Sequence, residues 1–343
     1  MKVVPERVWR SAAMKHKAAI YDLLRPGLIS SRRNGAETLS LDTKHPQFNF
    51  LIEYYGLKGA KGVKRLARWP PGSHPGGILL EGATSDDFAD TLHLSGCTEF
   101  DASTGAFYSP SRFVEGKSSP SAAAAPYVWY RNIMQRTLEA DPVLYCYNLH
   151  EWSMQYQPTP DAPTPPSAKY QAHIPLRVSR EVIQRTVERR GTHCTHAHAL
   201  TYFSPSALPL NTPPAIPKSQ ILSYEQPACV HAHMDLLQYA VRLGPFLSSS
   251  NDTDDQPLLP SILQFVLQAR ELDVAASPYH VQATHGIPTV AVETADGRAL
   301  YRKRQERLLA SPVRQQLLAA YETFLAAAFT PDIIRQAELE WMP

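Results

Sequence analysis

Cysteine is scarce: Cys97, Cys146, Cys194 and Cys229 are the four in 343 residues, and no two form a Cys-x-x-C pair. That excludes a disulfide-stapled scaffold and a dithiol redox motif. No apolar run approaches the roughly 18–20 residues of a membrane span. The basic N-terminus holds Glu6 and Asp22 and lacks an apolar targeting core. The expectation is therefore a cytoplasmic protein with reduced thiols (nuclear in a eukaryote), not secreted and with no membrane partner. Also missing are a phosphate-cradling glycine loop, a G-x-S-x-G elbow, an H-E-x-x-H helix and the paired zinc motifs of the deaminases. Net charge is only +2, from 34 Lys/Arg against 32 Asp/Glu, so total charge implies no polyanionic partner.

What is present describes a globular chain. Apolar residues make up 43% and charged residues 19%, enough for a sizeable core in a single domain over residues 1–343. The 30 prolines cluster, so 72–125, 158–168, 204–220 and 248–257 read as long loops or insertions. Hydrophobic periodicity predicts a broken helix over 5–33, a polar stretch over 34–44 and a short helix over 48–55. Lys58, Lys61, Lys64, Arg65 and Arg68 then fall on one helical face. Residues 118–125 read as an exposed loop or helix entry, 126–138 as a helix, and 173–178 as a strand. Helices are expected over 181–190, 229–243 and 258–274, and a strand over 287–293 with a turn at Asp296-Gly297. One or two surface helices complete the chain over 299–329. The fold class is mainly α with a minor β element (α+β), a helical core enclosing a His/carboxylate site.

That site is the chain's main chemical signal. Cys194-Thr195-His196-Ala197-His198 and Cys229-Val230-His231-Ala232-His233 repeat one pattern, and each has apolar or aromatic neighbours. On a helix, His231 and Asp235 stand at i and i+4 and project from one face. His150-Glu151 closes an aromatic stretch that includes Tyr145, Tyr147 and Trp152. Arg270, Glu271 and Asp273 sit in a segment apolar nearly all round, where charges must be paired or functional. Three chemistries fit. A structural zinc could use Cys194, His196, Cys229 and His231, though C-x-H spacing is tight for it. A catalytic ion, one Fe or Zn, could be held by His196, His231 and Asp235, with His150 or Glu151 as base. The same groups could act as acid and base without metal. Each feature also has a plain structural reading: a buried His–Glu hydrogen bond, an aromatic core, a solvated basic face.

The segments His45-Pro46 to Tyr54-Tyr55, Leu149-His150-Glu151-Trp152, Cys194-Thr195-His196, Glu225-Gln226-Pro227 through Asp235, and Arg270 to Tyr279 carry a resemblance. Together they resemble a family of bacterial proteins labelled 3-methyladenine DNA glycosylase, over residues 8–310. His198 and His233 depart from that pattern, which favours His196, His231 and Asp235 over a doubled motif. The resemblance implies hydrolysis of the N-glycosidic bond of an alkylated purine in DNA repair. His150, Glu151, Asp235, Glu271 and Asp273 would supply the catalytic groups, and Tyr147, Trp152 and Arg270 would bind the base. DNA would be the partner, its backbone met by Lys58, Lys61, Lys64, Arg65 and Arg68. Two alternatives stand beside it: a small-molecule metalloenzyme with a His/His/Asp ligand set, and a binding protein without catalysis.

Overall fold

The computed structural model describes all residues except 34–35, 94–97, 116, 172, 214–215, 218–219, 248–256 and 342–343. Cys97 and nearly all of the expected 248–257 loop lie outside the described residues. Helix makes up 57% and strand 10%, so the chain is mainly α with a small β part, as its periodicity predicts.

Strand β1 (Lys2–Val4) leads into α1 (Glu6–Leu24), whose buried stripe of Trp9, Ala13, His16, Ile20 and Leu24 recurs every three or four residues. Arg25-Pro26-Gly27 ends the helix. The chain does not stay helical to residue 33. It forms an antiparallel hairpin of β2 (Leu28–Arg33) and β3 (Ala36–Leu41), with Leu28 opposite Leu41. The stretch expected to be merely polar over 34–44 thus carries strand β3. Next come α2 (Asn49–Glu53) and the basic α3 (Gly59–Ala67). Residues 72–125 carry β4 (Ile78–Glu81), α4 (Ser85–Asp90), β5 (Thr98–Asp101) and β6 (Gly105–Tyr108). The sheet order is β1-β4-β6-β5, with β1 parallel to β4 and the other pairs antiparallel.

Helix α5 (Pro120–Glu139) starts earlier than the low-complexity run suggests, because Ser119 caps the amide of Ala122 and alanine favours helix. Short α6 (His150–Gln155) is followed by α7 (Arg180–Arg190), α8 (Ala197–Leu200), α9 (Ile221–Tyr224) and α10 (Val230–Leu243). Gly244, at φ +59°, and Pro245 stop α10. Then come α11 (Leu258–Ala275), α12 (Val281–His285), α13 (Ala295–Leu309), α14 (Val313–Ala328) and α15 (Pro331–Trp341). Neither strand expected around 173–178 and 287–293 forms. Pro175 and Pro288 each remove a ladder donor, and the first segment keeps only a bridge between Leu176 and Tyr279. Asp296-Gly297 is not a turn but the first turn of α13, capped by Thr294.

Helix α11 is the axis of the molecule. It packs on α1, α10, α13 and α14, and most of its circumference is buried, leaving a narrow stripe that includes the exposed Gln264 and Gln268. For that reason α14 is a core helix rather than a surface one: Leu317, Ala320, Tyr321 and Phe324 are buried. Phe246, Phe324 and Tyr108 stack beneath it, with the Phe246 and Phe324 rings 4.3 Å apart. No single helix among the described residues is long and apolar enough to cross a membrane.

Candidate metal and acid–base site

Four elements bring titratable side chains to one cavity of about 50 Å³, enough for a few waters or an ion with its ligands. Helix α6 delivers His150 and Glu151, α10 delivers His231 and Asp235, the start of α8 delivers His196, and α11 delivers Arg270. The i, i+4 spacing of His231 and Asp235 places both on the cavity wall, as their positions on a helix require. Tyr54, Tyr55, His198 and Tyr202 complete much of the lining.

His150, His231 and Asp273 offer ligand atoms that all lie within 4.8 Å of one another. The two histidines face each other through their Nε2 atoms, 3.2 Å apart. That spacing fits an N–H···N hydrogen bond between the rings, and it also matches the roughly 3.3 Å between two nitrogens bound at about 2.0–2.1 Å to one tetrahedral cation. Burial lowers the pKa of His150 to about 4, against the opposing pull of Asp273. Burial, with His150 and His196 nearby, also holds His231 well below its usual value. Both rings are therefore neutral, the form that binds metal. Asp273 is fully buried and its Oδ1 has no hydrogen-bond partner.

A buried ion network surrounds this group. Arg270 pairs with Asp273 through one nitrogen, reaches Glu151 at 3.4 Å and donates from Nε to the carbonyl of Pro46 at 3.0 Å. Burial, reinforced by Asp273, raises Glu151 to about 7. On the other wall His196 Nε2 lies 2.9 Å from Asp235 Oδ2 and 3.9 Å from Glu225. Burial opposes its protonation, but Glu225 and Asp235 outweigh that and raise His196 to about 9. Burial likewise raises Glu225 to about 7, with His196 opposing.

The expected ligand set of His196, His231 and Asp235 therefore divides. His231 joins His150 and Asp273, whereas His196 and Asp235 satisfy each other. The two Cys-x-His-x-His segments are not equivalent either. His198 stands in the cavity lining, but His233 points the other way, against Phe265 and Arg314. Cys194 and Cys229 line a separate small cavity with Cys146, behind the His150–His231 wall. Among the described residues they do not gather with His196 and His231 as a four-ligand zinc site.

Several anticipated residues lie off the main cavity. Trp152 is core, its Nε1 donating to the carbonyl of Ala276 at 2.8 Å. Tyr147 packs on Tyr301, and its hydroxyl accepts from Arg302. Glu271 leaves the buried face of α11 that holds Arg270 and Asp273, because i+1 turns away from both. Lys58, Lys61, Lys64 and Arg65 are exposed along α3 as its periodicity predicts, while Arg65 and Arg68 border a different cavity beside His93. Asn148 and Glu225 were not singled out as site residues. The only sequence signal was their place beside His150 and within the Glu225-Gln226-Pro227 block. No family model, curated protein or solved structure matches the chain.

Proposed function

We propose that the protein is a metal-dependent enzyme acting on a small polar substrate, with one divalent cation, Zn²⁺ or Fe²⁺, held by His150, His231 and Asp273. The observation that carries this reading is the facing pair of neutral imidazoles at 3.2 Å beside a buried carboxylate oxygen without a partner. A cation there supplies Lewis acidity and lowers the pKa of a coordinated water. The protein's own groups do the rest. Glu151, at about 7, suits transfer of a proton at neutral pH, which favours hydrolysis as the reaction class. Arg270 holds Asp273 and Glu151 in place, and the His196–Asp235 pair lines the facing wall with polar groups for a polar substrate.

Base release from alkylated DNA is the second reading. It draws support from the Tyr54 and Tyr202 rings in the cavity lining and from the exposed Lys58, Lys61, Lys64 and Arg65. One experiment separates the two. Elemental analysis of protein purified without chelator, wild type beside His231→Ala, should find about one zinc or iron per chain, lost in the variant. Absence of metal from the wild type would overturn the metalloenzyme reading and direct attention to purine release from methylated DNA, with Glu151→Gln as control.

A further inference from the structure

Asn148 makes two hydrogen bonds that only one orientation of its amide allows. Its Nδ2 donates to the main-chain carbonyl of Asp273 at 2.7 Å, and its Oδ1 lies 2.8 Å from His150 Nδ1. A carbonyl oxygen only accepts, so the amide nitrogen is fixed toward Asp273 and the amide oxygen toward the ring. That oxygen also only accepts, so the proton of neutral His150 sits on Nδ1. The lone pair then belongs to Nε2, the atom that faces His231.

The backbone shows the same purpose. Among the described residues Tyr147 and Asn148 are the non-glycine residues with positive φ, at 48° and 56°. Asparagine tolerates this region, whereas the Cβ of tyrosine crowds the following carbonyl there. The strained pair turns the Asn148 amide inward, where it is 3% exposed. We propose that Asn148 is the positioning residue of the site: it ties the Asp273 main chain to His150 and holds His150 in the tautomer whose Nε2 accepts the cation. The inference rests on the metal-dependent reading, but the tautomer is measured without any metal.

A merely conformational role makes the opposite forecast. Glycine is at ease at this φ, so Asn148→Gly would then be harmless. The test is ¹⁵N-histidine NMR of chelator-treated full-length protein, which reports the tautomer of His150, together with Zn²⁺ affinity by competition with a chromophoric chelator. Wild type should show the Nδ1–H form. N148G should shift His150 toward Nε2–H and bind Zn²⁺ about 10–100-fold more weakly. N148D, whose carboxylate still accepts from Nδ1–H, should keep the wild-type tautomer; N148S, too short to reach the ring, repeats the loss should N148G fail to fold. An Nε2–H tautomer in the wild type, or a wild-type tautomer and affinity in N148G and N148S, would overturn the proposal. Wild type with the Nδ1–H tautomer and no affinity for Zn²⁺ would instead refute the metal-dependent reading alone.

Discussion

Arg270→Met is the most informative single perturbation of this site. Arg270 is 6% exposed and pairs with Asp273, 0% exposed, and with Glu151, 4% exposed. Methionine fills much of the same volume but leaves two carboxyls in the interior without their cation. Breaking a buried pair from one side costs about 3–5 kcal/mol, more than an exposed pair ever contributes. For 343 residues the unfolding entropy is about 0.7 kcal/mol per kelvin, so the expected fall in Tm is about 4–7 °C. Pairing the change with Asp273→Asn closes a double-mutant cycle. If the network is as drawn, the double variant should be more stable than the sum of the single losses predicts, by on the order of 1–3 kcal/mol. Thermal and urea unfolding of the four proteins in chelator supply the numbers. Additive effects, or a loss under 1 °C in R270M, would show that Arg270 does not neutralise this group, and the description of the network would be wrong.

Other consequences are simpler to measure. Glu151→Gln should retain metal but abolish turnover; in chelator it should also be more stable than wild type above pH 7, because the native carboxyl titrates near 7 and the unfolded one near 4.5. That stability difference should shrink toward pH 5, and a constant difference would contradict it. His93 is lowered to about 4 by burial and by Arg65 and Arg68, so native stability should fall as the pH drops from about 6.5 toward 4. His93→Gln should flatten that slope in pH-dependent unfolding. Leu263→Ala in the middle of α11, at a residue with 0% exposure, should cost about 2–5 kcal/mol by urea unfolding.

What could be read from the sequence depended on the range of the interactions involved. The i, i+4 relation of His231 and Asp235 is local, and the helix delivers both to the cavity. The burial of Arg270 and Asp273 follows from the apolar run around them. The partnership of Asp273 with His150 spans 123 positions of chain, and nothing in periodicity specifies which carboxylate meets which histidine. Sequence proximity points to Asp235, one turn from His231, whereas Asp273 comes within 4.8 Å of His231 only across the α10–α11 contact. The strands expected at 173–178 and 287–293 failed for a different reason. Both carry β-branched residues, but each contains a proline that a ladder cannot accommodate, so propensity was overridden by a missing donor.

Backbone strain and orphaned carboxylate oxygens meet at this cavity, although unpartnered buried polar atoms also occur elsewhere, such as Gln305 Oε1. Helices α5, α7 and α13 begin at Ser119, Ser179 and Thr294, whose side chains cap them. Helix α10, which carries His231, has Cys229 at that position and no side-chain cap, as is also true of α1, α3, α11 and α14. The left-handed Tyr147 and Asn148 sit immediately before α6, and the orphaned buried oxygens include Glu151 Oε2 and Asp273 Oδ1. Each departure costs about 1–3 kcal/mol, and folding alone gives no reason to place them together. A core histidine held only for packing needs neither a strained approach nor a carboxylate oxygen without a hydrogen bond beside it. The left-handed pair before α6, next to the carboxylate oxygens of Glu151 and Asp273, is the feature of this cavity that packing alone explains least, and it is where the proposed site should be tested first.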